Sequence, residues 1–437
     1  MRTAFHFIAA GLCLGLCAAA PAADLELGAD VAADYRERLA ALFDHFHRNP
    51  ELSGQEIETS KRLAAELRAL DFEVTERVGK TGIVAVMRNG AGPTVLLRAD
   101  MDGLPVEEKS GLPNASKVRQ VDLAGVEQSV MHACGHDVHM TALVGAARQL
   151  AARKDAWAGT LVLIGQPAEE RASGARDMIA DGLYTRFPKP DYALAFHVWS
   201  PMAAGTVSVP QRVAWSSADT VDIAVHGVGT HGASPHRGID PVLVAAQIVV
   251  SLQSLVSRTI DPLEDGVVTV GAIHGGTKHN IIGDRVDLQL TVRADNLATR
   301  AALLEGIERI ANGVARSFGL PEEKLPEVVV SEAETTPPTL NDEATAAQIQ
   351  SALRAHFGDA RVPAHKRDGM GAEDFAFFGA PEHGVKAVYF FVGGTPQAEL
   401  AGVAAHHSPL FKIAPEPAVT AGVEAMIVGA MSLLAKR

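Results

Sequence analysis

Four short, almost unbroken apolar runs constrain this chain more than any other feature. They lie at residues 94–98, 160–164, 192–196 and 387–392. A strand with one wet face alternates apolar and polar residues, so a run without alternation has to be covered on both faces. Helical patterns separate the runs, most clearly at 141–153, and a polar, helix-rich stretch at 31–70 precedes them. Doubly covered strands alternating with helices read as an α/β protein built on a mostly parallel sheet.

The centre of the chain has a different rhythm. Residues 220–226, 266–273, 285–293 and 327–331 read as strands, and 241–258 and 298–318 as amphipathic helices. Pro241 stands where the first helix begins, a position that needs no N–H. The resulting β-α-β-β-α-β order is the split, ferredoxin-like arrangement. The expected organisation is therefore one domain made of residues 24–215 and 331–437, interrupted by a second at 216–330.

Residues 1–23 combine Arg2, an apolar run at 7–17 and small residues ending at Ala23, and they read as a secretory signal peptide. The protein is thus expected to be exported, periplasmic or secreted. Cys13 and Cys17 follow Leu12 and Leu16 rather than small residues, which disfavours lipidation. No later segment is expected to be long and apolar enough to span a bilayer. Cleavage would leave Cys134 as the one thiol, with no intramolecular disulfide, and would move the formal charge from −13 to −14. Such acidity argues against nucleic-acid or anionic-membrane binding.

Chemistry-bearing residues follow the strand candidates, where open α/β sheets present ligand groups. Asp100 and Asp102 share a face of an extended segment, from which a carboxylate can hold a histidine in one tautomer. Cys134 and His136 are brought together by a tight loop in His132-Ala-Cys-Gly-His-Asp137. Asp137 is placed to cap the next helix, to bridge or to orient a ligand, and His139 reads as structural. Glu169 and Glu170 are adjacent carboxylates that different surroundings could divide between proton transfer and metal binding. His197 ends the third run, and His406-His407 adds donors near the C-terminus. Together these sulfur, nitrogen and oxygen donors exceed what one tetrahedral ion needs. They suit two adjacent divalent ions, zinc before manganese or cobalt, with Glu169 left free to carry a proton.

The motifs RADMDGLP (98–105), MHACGHDVH (131–139), QPAEE (166–170), FHVW (196–199), HGASPHRGIDP (231–241), HNIIGD (279–284), GAEDFAFF (371–378) and HSPLF (407–411) resemble those of a two-metal metallopeptidase family. That family includes aminoacylases and carboxypeptidase G. The nearer resemblance is to its amidohydrolase branch, with hippurate hydrolase and indole-acetyl-amino-acid hydrolases. The resemblance implies Cys134, His136, Glu170, His197 and His407 as metal ligands and Glu169 as general base. It implies that the inserted domain is a lid and dimerisation domain, and that His231 polarises the substrate carbonyl, often in a partner's site. It implies that Asn280 and Arg293 hold the substrate carboxylate, and Asp102 is expected among the catalytic residues with Glu169 and His231. The stretch 116–129 departs from the simplest pattern and is expected to shape the rim, and Gly283 stands where many relatives have proline. The expected reaction is hydrolysis of N-acyl amino acids or related small amides. The alternatives are a dipeptidase or carboxypeptidase of the same fold, a cysteine hydrolase using Cys134, and a non-catalytic binding protein.

Overall fold

The computed structural model describes residues 24–436, so the expected signal peptide at 1–23 lies outside the described residues. The four apolar runs pair side by side as parallel strands, in the spatial order Gly159–Gln166, Thr94–Asp100, Tyr192–Ala203, Lys386–Thr395. Their side chains are buried on both faces of the sheet, as in Val95, Leu96 and Leu97 or Val388, Tyr389 and Phe390. Three antiparallel strands extend this sheet at its two edges. The hairpin Glu73–Val78 and Gly82–Asn89 joins Gly159–Gln166, and Val207–Ser208 joins Lys386–Thr395. Tyr192–Ala203 runs well beyond residue 196, so His197 and Trp199 stand inside a strand rather than after it.

Helix His136–Ala152 is buried along nearly its whole length and packs against Pro415–Leu434. By length and composition, Pro415–Leu434 and Pro241–Thr259 are both apolar enough to cross a membrane, which corrects the expectation that no later segment is. Tertiary packing explains both. Ala418, Val423, Met426 and Ile427 are buried in the main core, so that helix is apolar because protein surrounds it. Pro241–Ser254 buries Val244, Ala245, Ile248 and Leu252 in a second core and leaves Val242, Leu243 and Val250 exposed, so it is less amphipathic than its sequence implied.

That second core belongs to the inserted segment. Its sheet runs Gly266–Gly275, Arg285–Ala294, Ala218–His226, Glu327–Thr336, every pair antiparallel, with Pro241–Ser254 and Leu297–Ser317 against it. Arg285–Ala294 alternates buried and less buried residues, as expected for a sheet covered on one face. The last strand continues to Thr336, so a boundary at residue 330 would cut through it.

Candidate metal centre

The carboxyl ends of the parallel strands converge on one cavity of about 440 Å³. Asp100 and Gln166 end their strands, and the segment after Lys386–Thr395 returns to bring His406 and His407 over the same end. Cys134 reaches the cavity through the turn at Gly135, whose φ of 89° suits glycine. A Cβ there would also collide with Cγ1 of Val198 on the neighbouring strand.

Cys134 is shared by two donor groups, one with His136 and Glu170, the other with His197 and His406. Within each group the ligand atoms lie within 4.8 Å of one another. The Nδ1 of His136 donates to the main-chain carbonyl of Asp102 at 2.8 Å, which leaves Nε2 bare, buried and without a partner. Oε1 of Glu170 is likewise buried without a hydrogen bond, 3.3 Å from Nε2 of His407. His197 donates through Nδ1 to the carbonyl of Val198 at 2.6 Å and turns Nε2 toward Cys134 Sγ at 3.3 Å. Unpartnered buried nitrogen and oxygen atoms are costly unless something binds them. Two divalent cations would fit this donor set, held by Cys134, His136, Glu170 and His197.

Both nitrogens of His139 are used, Nδ1 on Asp100 at 2.6 Å and Nε2 accepting the Val198 N–H at 2.9 Å, so this ring is structural. His406 is held differently from His407. Its Nε2 accepts the Ser200 N–H at 3.1 Å and its ring stacks on Trp199. In the neutral ring the proton then sits on Nδ1, 3.8 Å from Cys134 Sγ, so His406 faces the sulfur as a donor.

The electrostatics call for positive charge. Burial, with Glu373, Glu170 and Asp374 nearby, holds the Glu169 carboxyl well above the usual carboxylate range. Burial and the Glu170 and Glu169 carboxylates push the Cys134 thiol up. Burial alone would lower His136, but Asp100 and Asp102 outweigh it and hold it up at about 10. A cation among these groups would reverse each tendency, favouring thiolate, carboxylate and neutral imidazole.

The turn carrying Glu169 and Glu170 is braced from below. The Asp102 carboxylate accepts the N–H groups of both glutamates, at 3.2 and 3.1 Å, and the hydroxyl of Ser53 at 2.6 Å. Asp102 therefore orients His136 through its carbonyl, with its carboxylate also 3.3 Å from His136 Nδ1, and holds the glutamate pair through the same carboxylate. Glu56 accepts the N–H of Ala168 at 2.9 Å, where the backbone is left-handed at φ 49°. Gly135 occupies the cap position, so Asp137 sits inside the first turn, where its Oδ1 accepts the Val138 N–H at 2.9 Å and its Oδ2 pairs with Nδ1 of His47 at 2.7 Å.

Of the residues expected to meet substrate, Arg293 lines the cavity, but His231 and Asn280 do not. They sit together on the small Thr230–His231 and Ile281–Ile282 ribbon, where His231 is exposed and its Nδ1 accepts the Ala233 N–H at 3.0 Å. The stretch 116–129 forms the hairpin Arg119–Val121 and Glu127–Ser129, whose Gln120 side chain accepts the Leu52 N–H at 2.7 Å. Sequence reasoning missed Trp215, Glu373 and Asp374 in the cavity wall and His47 and Glu56 beneath it. The adjacent acids Glu373 and Asp374 within GAEDFAFF are the signal that the sequence carries for this wall.

A donor-rich cavity at the carboxyl ends of a parallel sheet, with a carboxyl beside it, is the arrangement of a metal-dependent hydrolase. The chain belongs to peptidase family M20/M25/M40, whose model it matches over residues 96–427. It is 36% identical over 333 residues to the hippurate hydrolase of Campylobacter jejuni, covering 76% of this chain and 82% of that one. It is 35% identical over 345 residues to an N-acetyl-L-cysteine deacetylase of Bacillus subtilis, covering 78% and 77%. A Bacillus subtilis structure described as a dinuclear metal binding peptidase of the M20 family superposes with a TM-score of 0.76 at 28% identity, covering 92% of this chain and 99% of that one.

Proposed function

We propose that the protein hydrolyses the amide bond of N-acyl amino acids at a two-metal centre held by Cys134, His136, Glu170, His197 and His407. The observation that carries this reading is the grouping of Cys134 with His136 and Glu170, with His197 Nε2 3.3 Å from the Cys134 sulfur, beside a half-buried Glu169 that this donor group does not use. Two bound divalent cations supply an activated water and polarise the amide carbonyl. Glu169 accepts the proton of the attacking water and passes it to the leaving amine nitrogen. Arg293, the one cation among the described residues lining the cavity, pairs with the substrate carboxylate. Asp102 keeps Glu169 and Glu170 in place through their backbone N–H groups.

The thiolate favours zinc, with manganese or cobalt able to take the same donors. His231 and Asn280 lie outside their own chain's cavity, which supports a dimer in which they complete the site of the partner subunit. The exposed Val242, Leu243 and Val250 of the inserted segment give that dimer an apolar face. The composition of residues 1–23 supports export.

The test is to purify the mature protein, measure bound metal, and assay N-acetyl amino acids, N-benzoyl amino acids and dipeptides. Activity should vanish with chelator and return with zinc, manganese or cobalt. Glu169→Gln should lower kcat by about 10²–10⁴-fold with metal still bound. Full activity without metal, or an unaffected Glu169→Gln, would overturn the mechanism. Dipeptides cleaved in preference to N-acyl substrates would make the enzyme a dipeptidase.

A further inference from the structure

Glu56 occupies the cap position of helix Ile57–Arg68 but does not cap it. Glu51 takes the first-turn N–H groups instead, those of Glu58 at 3.2 Å and Thr59 at 2.7 Å. The Glu56 side chain turns away, is 0% exposed, and reaches a segment 112 residues further along the chain. Its Oε1 accepts the N–H of Gly54 at 2.7 Å and that of Ala168 at 2.9 Å, and its Oε2 accepts the hydroxyl of Thr81. All three donors are neutral, so these hydrogen bonds have to offset the cost of burying a carboxylate.

The segment it reaches is strained. Ala168 and Ala172 bracket the single turn Glu169–Arg171, and both are left-handed, at φ 49° and 50°. A side chain with a Cβ disfavours that backbone, which persists only where its surroundings hold it. The other anchors act elsewhere in the loop. Asp102 takes the N–H groups of Glu169 and Glu170, and Asp374 takes that of Ala175 at 3.0 Å. The Ala168 carbonyl accepts from the N–H groups of Ser173 and Gly174, both at 3.3 Å, which is long for such bonds. The Ala168 N–H goes to Glu56.

We propose that Glu56 is a positioning residue for the hydrolytic reaction: it holds Ala168 left-handed and thereby aims the Glu169 side chain at the attacking water. This inference rests on the amidohydrolase reading above. Ala168 immediately precedes Glu169, so a change in the Ala168 backbone swings the direction in which the Glu169 side chain leaves the chain. Glu170 is one residue further on, shares the Asp102 anchor, and is a metal ligand under the same reading. Loss of the Glu56 bond therefore moves the proton carrier more than the ligand beside it. What the Ala168 N–H needs is an acceptor oxygen at that point, so an amide oxygen there serves as well as a carboxylate.

The test compares the zinc-loaded wild type with Glu56→Ala, Glu56→Asp and Glu56→Gln, each also in an Ala168→Gly background. The substrate is whichever N-acyl amino acid or dipeptide the wild type hydrolyses fastest, and bound metal is measured on each preparation. Glu56→Ala and Glu56→Asp remove or shorten the acceptor. They should lower kcat about 10–100-fold, the scale of a misplacement of about 1 Å, with KM within about threefold and both metal equivalents retained. Glu56→Gln keeps an oxygen for the Ala168 N–H and should stay within about threefold of the wild-type kcat. Glycine takes up the left-handed backbone freely, so in the Ala168→Gly background Glu56→Ala should cost only about threefold or less. As a readout apart from turnover, the crystal structure of Glu56→Ala should show residue 168 outside the left-handed region and the Glu169 carboxyl displaced, with Glu170 in place. Unchanged kcat in Glu56→Ala overturns this inference alone. So does a loss of bound metal that accounts for the lost activity, as a merely structural role would give. A loss in Glu56→Gln equal to that in Glu56→Ala makes charge rather than position the cause, and overturns it too. If Glu56→Ala does not fold, Glu56→Asp and Glu56→Gln decide among the same outcomes. A wild type inactive on N-acyl amino acids and dipeptides overturns the amidohydrolase reading, and this inference with it.

Discussion

His47 is a buried cation between two buried anions. Its Nδ1 lies 2.7 Å from Asp137 and its Nε2 3.3 Å from Glu108, and the three side chains are 7%, 2% and 0% exposed. Burial alone would lower its pKa, but the two carboxylates outweigh it and raise it to about 10. Its stabilising contribution is then complete below the unfolded value near 6.5 and is lost as pH rises through about 10. Asp137 and Glu108 are shifted down, so their share is present above their ordinary values and fades as pH falls below them. His47→Ala should cost about 3–5 kcal/mol near pH 6, where the triad is fully charged, and less at pH 10, measured by urea unfolding at both. At the same scale, His406→Phe keeps the stack on Trp199 and removes the donor facing Cys134. Two metal equivalents should remain, bound about 10–100-fold more weakly in chelator competition. Loss of one equivalent would make His406 a ligand instead.

Among the elements, the turn into helix His136–Ala152 governs the site most directly. It has to present Cys134 and start the helix at His136 within two residues, which the left-handed Gly135 allows. Gly135→Ala should lose about 1–2 kcal/mol to backbone strain alone, more with the Val198 collision, and should bind less metal. Thermal unfolding and metal analysis of the same preparation test both outcomes. The strand Tyr192–Ala203 shows why element ends were hard to read. A polar histidine after an apolar run looks like a strand end, yet pairing of His197 with Phe391 carries the strand onward. The first strand of the hairpin Glu73–Val78 and Gly82–Asn89 went unread because it is polar and mostly half-buried, although residues 83–87 of the second carry the same unbroken apolar signature as the parallel strands.

At the scale of the whole molecule, the exposed face of Pro241–Ser254 is where the proposed dimer would form. Val250 is 67% exposed, and Val242 and Leu243 lie exposed on the same helix. Val250→Glu should convert the proposed dimer to monomers in sedimentation equilibrium. If His231 and Asn280 serve the partner's site, kcat/KM should fall about 10²–10³-fold with them, the range for one lost oxyanion donor. A monomeric variant with full activity would show that each chain completes its own site.

The four apolar runs, the β-α-β-β-α-β insertion and the donors Cys134, His136, Glu170 and His197 were legible because each is a local pattern. Periodicity reports burial, and residue type at a strand end reports chemistry. Which nitrogen of each histidine is free was not legible, since it depends on backbone groups such as the carbonyls of Asp102 and Val198 and the N–H of Ser200. The fate of Asp137 turned on His47, ninety residues earlier, and the apolar length of Pro415–Leu434 acquired its meaning only from the core around it. Trp215 is an ordinary strand residue in the sequence, and only the fold sets its indole between His197, Trp199 and Gly371. The sequence by itself determined the kinds of donor and the order of the elements. Tertiary structure decided which lone pairs face the cavity and which residues shape it, because those are set by contacts between segments far apart in the chain.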